Sequence, residues 1–108
     1  MLVFGKEIAT NISEMPVDDV VARLSRGEDV FGLMLIVVGL SEGRMLEILS
    51  AREAAKPHYA DMRLKVVGMA FGEMEARILV MDMLREWLLQ NGDVAACKAY
   101  YMNMEVRA

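Results

Sequence analysis

Leu33-Met34-Leu35-Ile36-Val37-Val38-Gly39 is an uninterrupted apolar run that ends in three β-branched residues and a glycine. Such a run reads as a central strand covered on both faces, because a strand wetted on one face alternates apolar with polar residues. Further on, Arg63 to Ala70 carries a second strand built on Leu64, Val66 and Val67. Laid over each other at an offset of 29 residues, Leu35 to Met45 and Leu64 to Met74 share a Leu, two Val, two Gly and a Met. Each stretch reads as a strand, a Gly-bracketed turn and the start of a helix. That offset is the length of one βα unit, and it predicts parallel strands over about 33–39 and 63–70. A right-handed crossover through a helix at 43–56 would join them. Short strand-to-helix turns favour glycine in any case, so the match reads as either a duplication or shared turn chemistry.

The helix over 43–56 rests on Met45-Leu46-Glu47-Ile48-Leu49, good helix formers without alternation, with Ser41 available as N-cap and Pro57 near the end. The lack of alternation disfavours the other reading, a hairpin through Ser41-Glu42-Gly43. Upstream, Pro16 suits a first helical position, Asp18 and Asp19 lie in the first turn, and Val17, Val20, Val21 and Leu24 form one stripe. Arg23, Arg26 and Gly27 then close that helix. Ile8 and Ile12, four apart, predict an amphipathic turn or two over Lys6–Ser13 after a brief extended piece at Leu2–Phe4. Downstream, Glu73–Gln90 is the longest helix, with Gly92 as its stop and Asp93 capping a last helix over Val94–Met102.

The expectation is one small, helix-rich α/β domain spanning 1–108, in which a helical segment, 1–28, packs on a β-α-β-α-α core, 29–108. Two parallel strands leave open edges, so an N-terminal edge strand or a second subunit is needed to complete the sheet.

Charge and composition narrow the function. Of 108 residues 56% are apolar, which excludes intrinsic disorder. Twelve basic against sixteen acidic residues leave a net charge of −4, all of it in residues 1–54, so the basic footprint of a nucleic-acid binder is missing. The lone Cys97 fits a reducing compartment and a buried inert thiol. Met1 to Glu7 lacks the features of a signal peptide, and the run at 33–38 is far short of the ~20 residues of a membrane helix. The chain reads as cytoplasmic, with neither nucleic acid nor membrane as a partner.

Chemical motifs are few. Gly39-Leu40-Ser41-Glu42-Gly43 matches the G-x-S-x-G of a hydrolase elbow, but the only histidine, His58, falls just past the helix that Ser41 would open, so Ser41 reads as a helix cap. His58 reads as a cap for helix carbonyls, and the pairs Asp18/Asp19 and Glu28/Asp29 as dipole complement and solvated loop, since helical neighbours point about 100° apart. The eleven methionines recur in phase with Leu and Ile and read mostly as core filling. No residue is assigned a catalytic or metal-binding role, and no cofactor is implied.

Two functional readings remain. In the first, a non-enzymatic interaction module forms a homodimer, with a further protein partner possible on its acidic N-terminal helix. Its interface is Ile78, Leu79 and Leu89, which fall among charged residues of the 73–90 helix, together with Tyr100 and Tyr101. In the second, parallel strands bring both glycine turns to one sheet edge, where Gly39, Ser41, Gly43, Arg44, Gly68 and Gly72 would bind a small anion or nucleotide at two helix N-termini.

Overall fold

The computed structural model describes residues 1–40 and 45–107, and in it the apolar runs build a four-stranded mixed sheet. The strands are β1 (Leu2–Thr10), β2 (Leu33–Val38), β3 (Glu47–Ser50) and β4 (Leu64–Phe71), in the order β1-β4-β2-β3. The helices are α1 (Val17–Ser25), the one-turn α2 (Ala51–Ala54), α3 (Glu73–Asn91) and α4 (Cys97–Asn103), with a 3₁₀ turn at Pro57–Tyr59. The chain is therefore a small α/β fold with one parallel pair of strands.

That pair is β1 and β4, with Leu2 opposite Leu64 and Phe4 opposite Val66. The strands at 33–38 and 64–71 are antiparallel, Leu33 facing Phe71 and Val38 facing Lys65, which corrects the parallel pairing expected of them. In place of the crossover helix expected at 43–56, β3 lies antiparallel to β2, with Leu35 opposite Leu49. Leu46 and Ile48 pack toward one face of the sheet and Leu49 toward the other. A strand covered on both faces shows no polar alternation, so pairing with β2 overrides the helix-forming composition of this segment. Ser50 then caps α2, its Oγ accepting from the Glu53 amide at 3.0 Å.

The first 28 residues divide between an edge strand, β1, and the helix α1, which packs on the sheet through Val20. Lys6 to Thr10 continues β1 instead of coiling, with an irregularity in which β1 advances from Phe4 to Ala9 while β4 advances only from Val66 to Gly68. At this bulge residues 105–107 take up the outer edge of β1: the Lys6 amide donates to Glu105 O at 2.7 Å and the Arg107 amide to Phe4 O at 2.8 Å. The Arg107 guanidinium reaches on to Asp18 of α1 at 2.5 Å. An exposed edge is a template for unwanted pairing, and here the chain covers it from within.

Side chains alternate across the sheet and fill two cores. Leu33, Leu35, Val37, Leu64 and Val66 meet Val20 of α1 and Ala51 and Ala54 of α2 on one face. On the other, Ile36, Val38, Val67 and Ala70 meet Ala76, Leu79 and Met83 of α3. One extra residue in β4 against β2, between Ile36↔Gly68 and Val37↔Val66, puts Val67 and Ala70 on the same face. α3 ends where expected: Gly92 adopts φ +82° and donates its amide to Leu88 O at 2.8 Å, the left-handed stop that glycine accommodates best.

Lys65 is the one buried charged residue among those described, 6% exposed on β4. Its ammonium donates to the carbonyl oxygens of Tyr101 (3.1 Å), Met102 (2.5 Å) and Met104 (2.7 Å) at the C-terminal end of α4. Four carbonyls at a helix end have no intrahelical donor, and a cation there also meets the negative end of the dipole. Burial, with Arg63 nearby, holds Lys65 below the ordinary lysine range.

Candidate interaction surface

Gly92 and the packing of Ala76, Leu79 and Met83 fix the rotation of α3, and so which residues it turns outward. At roughly 100° per residue Met74, Ile78, Met81, Leu88 and Leu89 fall in one stripe on the side opposite the core face. All five are exposed, Ile78 at 44% and Leu89 at 82%. Leu79, expected in the interface, lies in the core at 7% exposure. Met81 and Leu88 belong to the outer stripe.

Charge along this face is neutralised within the helix. Glu73 pairs with Arg77 at 2.7 Å and Asp82 with Arg85 at 3.9 Å. Glu75, off the stripe, accepts from Asn11 Nδ2 at 3.2 Å. Near the start of α3 the Gly72 amide donates to Gly32 O at 2.9 Å, and the neighbouring Phe31 is 91% exposed. Composition alone offers no signal for Phe31: an aromatic between Val30 and Gly32 reads as core.

Tyr100 and Tyr101 lie elsewhere, at a cleft between the C-terminal half of α3, α4 and β1. Trp87 and Tyr100 have ring centroids 5.1 Å apart at 45°, and Tyr100 and Tyr101 5.1 Å apart at 80°. The Trp87 indole N–H donates to Asp93 O at 2.8 Å, which fixes the ring. Burial, followed by neighbouring Cys97, Tyr100, Glu86 and Glu7, pushes Tyr101 up to about 12. Cys97 is fully buried, and burial raises its thiol, the condition of an inert cysteine.

The two glycine turns do not converge. Because β2 and β4 run antiparallel, Gly39 follows the end of β2 that faces Lys65, whereas Gly72 follows the end of β4 that faces Leu33. Six strand residues, about 20 Å, separate those ends. Gly68 is in no turn: it sits within β4 opposite Ile36. Ser41, Gly43 and Arg44, and with them the elbow-like motif, lie outside the described residues. The meeting of both turns at one sheet edge, on which that anion site depends, is therefore absent. His58 is exposed on the 3₁₀ turn, edge-on to Tyr59 with centroids 4.8 Å apart, and among the described residues no three His, Cys, Asp or Glu side chains gather as a metal site. No described helix is long and apolar enough to cross a membrane. No protein-family model, no curated protein and no solved structure matches the chain.

Proposed function

We propose that this protein is a non-enzymatic association module that works as a homodimer, with the outer stripe of α3 as its self-complementary face. The observation that carries the reading is the two-sidedness of α3. Ala76, Leu79 and Met83 are satisfied by the sheet, whereas Met74, Ile78, Met81, Leu88 and Leu89 form a second apolar face that stays exposed among the described residues. Single exposed apolar residues are ordinary, but five of them along one side of a helix about 28 Å long, with only Arg85 between Met81 and Leu88, support an association surface.

A second copy suits this face better than a charged partner. Glu73 and Arg77 pair at the edge of the stripe, and Arg85, which lies within it, pairs with Asp82 at its other edge, so the face carries no uncompensated charge to select an acidic or basic protein. Two such helices related by a twofold axis bury the same patch on each subunit. The dimer is assigned to the cytoplasm because a lone cysteine fits a reducing compartment.

The test is the double variant Ile78→Glu/Met81→Glu, both sites being solvent-exposed. Light scattering behind a sizing column is expected to give the mass of two chains for the native protein and of one for the variant, with unchanged thermal unfolding. A variant that stays dimeric would rule this face out.

A further inference from the structure

The geometry points to the cleft between β1, α3 and α4 as a binding site for a small organic ammonium ion, held by the faces of Trp87, Tyr100 and Tyr101 and by the carboxylates of Glu7 and Glu86. The cleft has a volume of about 520 Å³, inside the usual range for small-molecule sites and far larger than a bare metal ion needs. Its lining contains two carboxylates and no lysine, arginine or histidine, so its charge selects a cation. Neither Glu7 nor Glu86 has an ion-pair partner among the described residues.

The aromatic wall narrows the choice of cation. Three rings in succession line the cleft, packed on one another at 45° and 80°, and concentrate π-surface on one wall. The Trp87 N–H is already spent on Asp93 O, so the indole can offer a ligand its π-surface but not its donor. A cation over such a face is attracted by the ring quadrupole, most strongly for tryptophan, and alkylammonium groups exploit this because they shed water readily. Hard divalent ions instead require six or more oxygen ligands, which two carboxylates do not supply. Met83 and Met104 complete the wall with polarizable thioethers suited to the alkyl part of the ligand. The rise of Tyr101 comes first from burial and then from Cys97 and Tyr100, with Glu86 and Glu7 adding to it in the direction expected of carboxylates beside the cleft. This inference is independent of self-association, since the outer stripe of α3 takes no part in it.

Trp87 is the only tryptophan, so its emission reports on this cleft alone. The full chain is titrated at constant ionic strength with choline, with cadaverine, and with 3,3-dimethyl-1-butanol, the neutral isostere of choline. A saturable change in emission with at least one ammonium probe is expected, and none with the alcohol. Affinity is expected to fall at least tenfold in Glu7→Gln/Glu86→Gln, whose side chains are exposed, and also in Tyr100→Leu, which keeps both carboxylates but removes one ring. The proposal is overturned if neither amine gives a saturable change, if the alcohol binds equally well, or if either variant keeps the native affinity with a native melting temperature.

Discussion

The Lys65 ammonium nitrogen lies 2.5 Å from the Met102 carbonyl oxygen, the shortest of three hydrogen bonds that tie β4 to the end of α4. Those bonds link the sheet to the helix that carries Tyr100 and Tyr101, so one buried cation sets where one wall of the cleft stands. Replacing Lys65 with Met removes the donor and leaves three acceptors to find water. Such a loss costs about 1–3 kcal/mol. Urea unfolding of Lys65→Met is expected to show that loss, and hydrogen exchange to show it concentrated in α4. A variant with native stability would mean that the ammonium only offsets its own burial.

Gly68 marks the closest approach inside the sheet. A Cβ built there would lie 2.9 Å from Ile36 Cδ1 and 3.1 Å from Ile36 Cβ, closer than packed carbons tolerate. Gly68→Ala is expected to destabilise by about 1–3 kcal/mol through overpacking. Adding Ile36→Val, which deletes the Cδ1, should recover part of that in thermal unfolding. Additive losses in the double variant would show that the two side chains do not compete for the same space.

Alkaline stability depends on Tyr101. Its folded-state value of about 12 stands above the ordinary 10, so between those limits the folded chain holds a proton that the unfolded chain releases. The stability tied to this hydroxyl is complete below pH 10 and is lost as pH rises toward 12. Melting temperature is expected to fall more steeply over pH 10–12 in the native protein than in Tyr101→Phe, and the variant should lack the late phenolate absorbance step near 12. Identical pH profiles for the two proteins would contradict this placement of the hydroxyl.

What could be read from the sequence followed local signals. The apolar run at 33–38, the strand from Leu64, the capped helix after Pro16 and the Gly92 stop each have a cause within a few residues. Strand direction does not: composition is the same whether β4 runs with β2 or against it, and the Gly39/Gly68 match concealed that one glycine closes a strand while the other lies inside one. Ile8 and Ile12 mimic a helical spacing, but residues 105–107, a hundred positions away, supply the pairing that keeps Lys6 extended. Ile78 and Leu89 were legible as outward-facing. Leu79 was not, because its position on the wheel borders the core face and only the approach of the sheet decides which side it takes. Trp87, Glu7 and Glu86 were invisible as a set, since only the packing of α3 beside the bulged β1 brings them together in three dimensions.

The most direct test of the central claim is native mass spectrometry of the unmodified chain over a dilution series through the micromolar range. The account predicts a species of two chains at the upper end that dissociates on dilution, because the outer stripe of α3 is buried only by its copy. A single chain at every concentration would contradict it and leave Met74, Ile78, Met81, Leu88 and Leu89 as a solvent-facing row without a role in self-association.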